Sequence, residues 1–257
     1  MKKEILQNLA NIRKFLLSAF YHDSASREEI HKFLHELLEY VFNFHQINKN
    51  DYKVALVHSQ NKSTDDFEAK IIRYYNHPEM FDILLNSKFK SYKRKTNDDA
   101  SKFFSFIYYI LHEYGHVIQN IENPELFEQH DDFLEFLELA PIIISNHSEN
   151  KEKRLIIKAL KKYLNAQEFM SCIEREANKK AYIYFVSIVE NLIGLEQDEE
   201  FTNFLCSLRT FLEKIKKDNY DIYKHYGREN QDAIKQLKEL NFDDELFISV
   251  STMLKSN

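Results

Sequence analysis

Apolar residues recur every three or four positions through most of the chain, which is the spacing of one face of an α-helix. The first such run predicts an amphipathic helix over residues 2–20, with apolar positions at Ile5, Leu9, Ile12, Phe15 and Leu16. A second helix is predicted over 26–46, because the segment Ser24-Ala-Ser26-Arg-Glu-Glu resembles a capped helix start. The N-terminal part of the chain is therefore expected to form two helices.

The pattern changes after these helices. Residues 53–59 and 67–75 are rich in β-branched and aromatic residues, so two strands are predicted, and Asn76-His77-Pro78 then turns the chain. A short helix is predicted over 79–86, followed by a charged loop to about residue 99. This part of the chain is expected to supply a small sheet.

Helical spacing returns at residue 98 and continues almost to the last residue. The expected breaks lie near Pro124, Pro141, Gly194 and Gly227, and the predicted helices span 100–121, 125–146, 151–164, 167–193, 198–217, 229–240 and 243–254. We expect one domain, 1–257, of the mainly α (α+β) class. It would consist of N-terminal helices (1–50), a small sheet with the helix that follows it (51–121), and a helical part (122–257).

The composition supports a helical fold. A chain of 257 residues with 44% hydrophobic residues can bury a sizeable core. It contains only 3 Gly and 3 Pro, whereas an all-β sandwich or barrel needs a turn about every ten residues. Long helices with short polar connections fit this scarcity of turn-forming residues.

The charge and the cysteine content limit which classes of binding partner and which cellular location are expected. The net charge is −6 with both signs mixed along the chain, so no nucleic-acid partner is expected. The basic cluster Lys88, Lys90, Lys93, Arg94 and Lys95 is interpreted as a solvated loop. Cys172 and Cys206 are too few for a disulfide framework, and neither a signal peptide nor a membrane span is expected, which favours a cytoplasmic protein; secretion by another route stays open.

The predicted helix 100–121 contains the motif HEYGH, an HExxH sequence formed by His112, Glu113 and His116. Two histidines four residues apart project from one helix face, so both imidazoles can reach a single metal ion. Glu113 is rotated by about 100° from His112, which lets it contact a water molecule bound at the metal instead of the metal itself. The spacing therefore predicts a site for metal-assisted hydrolysis.

A structural interpretation of the same residues remains open. The helix is apolar on most sides, which predicts burial, and the two histidines and Glu113 can be core residues with hydrogen-bond and ion-pair partners. Gly115, in the middle of the helix, is explained by close packing of a neighbouring helix or by the need for room beside a metal.

A catalytic zinc site needs a third protein ligand, and the predicted helix 167–193 offers two glutamates. Glu174 shares its face with small and apolar residues, so another helix can approach it closely. Glu176 lies three and four residues before Lys179 and Lys180, where an ion pair on the surface satisfies it. Glu174 is the preferred third ligand and Glu176 the alternative, with Asn178 a candidate for orienting a ligating histidine.

HEYGH, followed 58 residues after His116 by Glu174-Arg-Glu-Ala177-Asn178, resembles the gluzincin-type zinc metallopeptidases, and distantly the small bacterial metallopeptidases that cleave repressors. The resemblance implies a zincin-like fold and one Zn²⁺ per chain, held by His112, His116 and Glu174, with Glu113 as general base. It also implies a peptide or protein substrate, held in extended form along a strand such as 67–75.

Two further residues are candidates for stabilising the oxyanion, namely Tyr223 and His225 near Gly227. Surface aromatic residues at a helix end are the simpler explanation for both. The leading hypothesis is a zinc metallopeptidase. The alternatives are a zincin-like binding or regulatory module with little or no hydrolysis, and a helical interaction protein in which the HExxH sequence is accidental.

Overall fold

The two N-terminal helices form where their patterns predict. In a computed structural model of the protein, α1 spans Lys2–Tyr21 and α2 spans Arg27–Phe44. Ser26 caps α2, because its hydroxyl accepts from the Glu29 N–H while the Glu29 carboxylate accepts from the Ser26 N–H. The prediction of a capped start is confirmed.

The structure describes part of the chain. The described residues are 2–21, 24–58, 69–74, 76–85, 92–93, 98–125, 155, 158–163, 166, 171–193 and 199–239. The predicted helices 125–146 and 243–254 lie outside them, apart from residue 125, and so do most residues of the basic cluster that begins at Lys88.

A three-stranded sheet follows α2 and a short 3₁₀ turn. Strand β2 is Lys53–His58, β3 is Ala69–Arg73 and β4 is Met80–Leu85, in the spatial order β2-β4-β3. Strand β4 is parallel to β2 and antiparallel to β3. The two predicted strands are confirmed within a few residues of their expected ends.

The predicted helix over 79–86 is wrong, because this segment is strand β4. Its side chains alternate between partly and fully buried, with Phe81, Ile83 and Leu85 on the buried face. A six-residue segment with five apolar residues fits a helix turn and a strand equally well, and pairing on both sides decides in favour of the strand. The expected loop to residue 99 is also interrupted, since β5 (Tyr92–Lys93) pairs with β1 (Ser24–Ala25).

Helix α3, Asp98–Glu122, is buried along most of its described length. Ten of its apolar residues are buried: Phe103, Phe104, Phe106, Ile107, Tyr108, Ile110, Leu111, Tyr114, Val117 and Ile118. These residues occur on nearly every side of the helix, as its apolar composition predicts. Polar residues of α3 are therefore carried into the core.

Helix α4 spans Cys172–Ile193 and helix α5 spans Glu199–Glu239. The predicted break near Gly227 is wrong, because α5 continues through this residue. A single glycine lowers helix propensity by about 1 kcal/mol, which a long amphipathic helix tolerates. Residues 158–163 are helical, inside the predicted helix 151–164.

The chain divides into two compact units. The first comprises Met1–Pro124 and Glu176–Ile215, and the second comprises Glu125–Arg175 and Lys216–Asn257. Helix α4 crosses this division after its first turn and continues without a break through the first unit. Among the described residues of the second unit, the buried hydrophobic ones are Ala159, Leu160, Tyr163, Ala166, Ile173 and Ala233. The single domain over 1–257 stays a prediction.

The described residues are mainly helical and carry a small mixed sheet, in agreement with the predicted class. Of the helices that the structure describes, none combines the length and the apolar character needed to cross a membrane.

Candidate metal centre

Helix α3 buries four polar side chains within two turns. Glu113 is 8% exposed and His116 is 5% exposed, and Gln119 and Asn120 are buried as well. A polar group in the core loses its hydrogen bonds to water and needs partners in the protein. The groups that contact these four buried side chains form the candidate site.

The two histidines of the HExxH motif face each other. Their Nε2 atoms are 3.0 Å apart, and their rings are nearly perpendicular with centroids 4.6 Å apart. Zinc–nitrogen bonds of ~2.0–2.1 Å in tetrahedral geometry place two ligating nitrogens about 3.3 Å apart. The observed separation fits two nitrogens that share one ion, and it also fits a hydrogen bond between the rings.

Gln119 sets the tautomer of His116. The Nδ1 atom of His116 lies 2.9 Å from Oε1 of Gln119, an atom that only accepts hydrogen bonds. Nδ1 therefore carries the proton, and the lone pair of the neutral ring is on Nε2, directed at His112. A ligating imidazole needs this arrangement, in which the nitrogen away from the metal donates to a neighbouring acceptor.

Glu174 lies in the first turn of α4. Ser171 caps this helix, since its hydroxyl accepts from the Glu174 N–H at 3.2 Å and its carbonyl accepts from the Arg175 N–H. An acidic residue is favoured at this position by the capping box and the helix dipole alone. An acidic residue at position 174 therefore does not by itself indicate a metal, and the relevant observation is its distance from the two histidines.

The ligand atoms of His112, His116 and Glu174 all lie within 4.8 Å of one another. The set contains two neutral nitrogens and one carboxylate oxygen, the donors found in catalytic zinc sites with three protein ligands. His116 is buried, whereas His112 and Glu174 are half-buried. The three residues fit a zinc ion in donor type and in number, and they lie close enough together to form a metal-binding group.

Glu113 is attached to the neighbouring strand. One carboxylate oxygen accepts from the Ile71 N–H of β3 at 2.8 Å, and the Arg73 guanidinium donates to the Asn120 side chain two turns further along α3. Because the Ile71 N–H is directed at Glu113, it points away from β4. Strand β3, which borders the sheet in the described part of the chain, therefore lies against the motif helix.

The remaining predicted site residues are found at different places. Glu176 is exposed on α4, and Lys180 pairs with Glu122. Asn178 accepts through its backbone carbonyl from the Tyr108 hydroxyl at 3.0 Å, and its role in orienting a histidine stays a prediction.

The two oxyanion candidates lie on α5. The side chain of Tyr223 is outside the described part, and His225 is exposed, 3.7 Å from Glu229. Their proposed function stays a prediction.

Sequence reasoning missed three contributors to the site. Gln119 lies three residues after His116, a spacing at which side chains meet, so its contact was detectable from the sequence. Ser171 forms a Ser-x-x-Glu capping pattern with Glu174 that was also visible. The contact between Ile71 and Glu113 had no such signal, since it joins residues 42 positions apart.

Comparison with family models, with curated proteins and with solved structures finds no match for this chain. The likeness to zinc metallopeptidases therefore rests on the motif residues.

Proposed function

We propose that the protein is a zinc-dependent metallopeptidase that binds one Zn²⁺ per chain through His112, His116 and Glu174. The observation that carries the proposal is the convergence of these three ligand atoms within 4.8 Å, from residues up to 62 positions apart in the chain. The buried Gln119 contact supports it, because it holds His116 in the tautomer that a metal ligand requires.

When bound, the zinc ion would supply Lewis-acid chemistry that polarises the substrate carbonyl and activates a water molecule. Glu113 would act as the general base, accepting a proton from the attacking water and delivering it to the leaving amine. The Ile71 N–H holds one oxygen of this carboxylate in place, which limits the number of orientations of the base before substrate arrives.

The proposed substrate is an extended segment of peptide or protein. Strand β3 runs beside α3, and its outward-facing backbone groups alternate along the strand, so Ala69 and Arg73 point to the same side as Ile71. A peptide that added to β3 as a further strand would replace Glu113 as the acceptor of the Ile71 N–H and would pass next to the released carboxylate. The zincin-like fold and the cytoplasmic location belong to this same proposal.

Metal binding tests the ligand set. Wild-type protein is expected to bind one equivalent of Zn²⁺, measured by elemental analysis after removal of excess metal, and His112→Ala and His116→Ala are expected to lose it. His77→Ala is the matched control, because His77 lies on an exposed turn beside Glu79. Equal zinc content in all four proteins would contradict the assignment.

The substitution Glu113→Gln tests the general base. An amide oxygen still accepts from the Ile71 N–H, so zinc content and stability are expected to persist while hydrolysis falls by about 10² or more. The assay uses casein and a pool of internally quenched peptides. If the wild type binds zinc but does not hydrolyse peptides, the hypothesis of a zincin-like binding module replaces that of a peptidase. Full activity in Glu113→Gln would show that Glu113 is not the general base.

A further inference from the structure

Three residues on one face of helix α3 contact a single turn of helix α4, from Ala177 to Lys180. Tyr108, Gly115 and Glu122 follow one another at intervals of seven residues, so they lie on one face of α3 about two turns apart. His112 belongs to the same face, four residues after Tyr108 and three before Gly115. One of the proposed metal ligands is therefore part of the surface that receives α4.

The contact in the middle of this face is one between helix backbones. A Cβ atom added at Gly115 would lie 3.2 Å from the carbonyl oxygen of Ala177 and 3.3 Å from its Cα. Both atoms belong to the α4 backbone, which cannot yield without moving the helix. Glycine at this position lets α4 approach more closely than any other residue would.

Polar contacts lie on both sides of this close approach. The Tyr108 hydroxyl donates to the Asn178 carbonyl at 3.0 Å, and the Lys180 ammonium donates to the Glu122 carboxylate at 2.9 Å. Tyr108 and Glu122 are about 21 Å apart along the helix axis. Both anchors reach the same turn of α4, so together with the tight contact at Gly115 they hold this turn in place against α3.

We infer that the contacts of Tyr108, Gly115 and Glu122 with α4 position Glu174 against the two histidines. This inference rests on the proposed metal site. Glu174 precedes Ala177 by three residues, slightly less than one helix turn. Ligand distances in metal sites vary by only ~0.2 Å. A displacement of α4 by a few tenths of an ångström, which a Cβ at position 115 requires, is enough to change the coordination by Glu174.

Cobalt binding to the full chain tests the inference, because the visible spectrum of Co²⁺ reports its ligands as well as its affinity. Gly115→Ala is expected to bind Co²⁺ at least ~10-fold more weakly than wild type, the size of effect seen when groups that orient ligands are lost. Gly227→Ala is the matched control, since no described atom lies within 4 Å of a Cβ there. It is expected to keep Co²⁺ affinity and to raise Tm.

A positioning role also predicts non-additivity. If Gly115 acts through Glu174, then Gly115→Ala has no further effect on Co²⁺ affinity or spectrum in a Glu174→Gln background. Additive losses would overturn the inference, as would an unchanged affinity and spectrum in Gly115→Ala.

If Gly115→Ala does not fold, two milder variants test whether the contacts between α3 and α4 position Glu174. Tyr108→Phe and Lys180→Met each remove one anchor, and weaker Co²⁺ binding with an altered spectrum is expected in both. Wild-type affinity in both would overturn the inference while leaving the metal site intact. A wild-type protein that binds no Co²⁺ or Zn²⁺ would instead remove the proposed function, and this inference with it.

Discussion

At the scale of single residues, the contact between His116 and Gln119 has the most direct chemical consequence. It decides which nitrogen of a buried imidazole carries the proton, and so which nitrogen faces His112. Both residues lie on α3 three positions apart, so the helix itself brings them together. The tautomer is therefore set locally, before any contact with α4.

Replacement of Gln119 tests this role. Gln119→Met keeps the length of the side chain but loses the acceptor, and we expect metal affinity to fall by about 10- to 100-fold. Gln119→Glu retains an acceptor at the same place and is expected to keep wild-type affinity or to exceed it. The measurement is competition with a chelator of known affinity, and equal affinities in the two variants would argue against the contact.

At the scale of elements, a specific cap fixes the start of one helix, whereas a glycine inside another helix does not end it. Helix α2 begins at a reciprocal pair of hydrogen bonds between Ser26 and Glu29. These bonds also hold the pKa of the Glu29 carboxyl below its ordinary value, because they favour the ionised form. Helix α5, by contrast, passes through Gly227 without interruption, since its neighbours in the helix retain their hydrogen bonds.

Removal of the cap measures its contribution to α2. Ser26→Ala leaves the Glu29 N–H without its side-chain acceptor, and the free energy of unfolding is expected to fall by about 1 kcal/mol. Ser26→Asp keeps an acceptor and serves as the control. Urea denaturation followed by circular dichroism checks both, and a Ser26→Ala midpoint equal to that of wild type would show that the cap is dispensable.

At the scale of the whole molecule, three helices converge on His45 at the end of α2. Its Nε2 atom lies 2.7 Å from the Tyr184 hydroxyl, and its Nδ1 atom lies 3.0 Å from the Glu122 carboxylate, which also receives a hydrogen bond from Lys180. Burial, with a smaller effect of the Lys180 charge, holds the pKa of His45 below its ordinary value despite the opposing effect of Glu122. Burial likewise raises the pKa of Tyr184. The folded protein therefore favours neutral His45.

This junction predicts a pH dependence of stability. In the unfolded chain His45 titrates near its ordinary value of 6.5, so between that value and the lower folded pKa the unfolded state binds more protons. The contribution of His45 is complete above pH 6.5 and is lost as the pH falls toward the folded pKa.

His45→Gln cannot titrate, so its free energy of unfolding is expected to depend less on pH than that of wild type between about pH 7.5 and 5.5. The pKa of His31 is also lowered, by burial and by Arg27, but His31 is present in both proteins and cancels in the comparison. Urea denaturation at several pH values measures the difference. Parallel pH profiles would contradict this account of His45.

The sequence predicted those elements correctly that depend on interactions between residues close together in the chain, and it failed where distant residues interact. Periodicity identified α1, α2 and α3, because a helix buries one face or nearly all of its surface at a fixed spacing. It misassigned β4, whose strand character depends on pairing with β2 and β3 on its two sides. A segment of six residues, five of them apolar, does not contain this information.

The sequence by itself determined that His112 and His116 share a helix face and that Glu113 is turned away from His112, because the geometry of one helix turn suffices for both. It also indicated that Gly115 needs close packing. Only the tertiary structure decided which glutamate approaches the two histidines and which strand holds Glu113. Those contacts join residues 42 to 62 positions apart, so they depend on how α4 and β3 pack against α3, and no local pattern of residues encodes that distance.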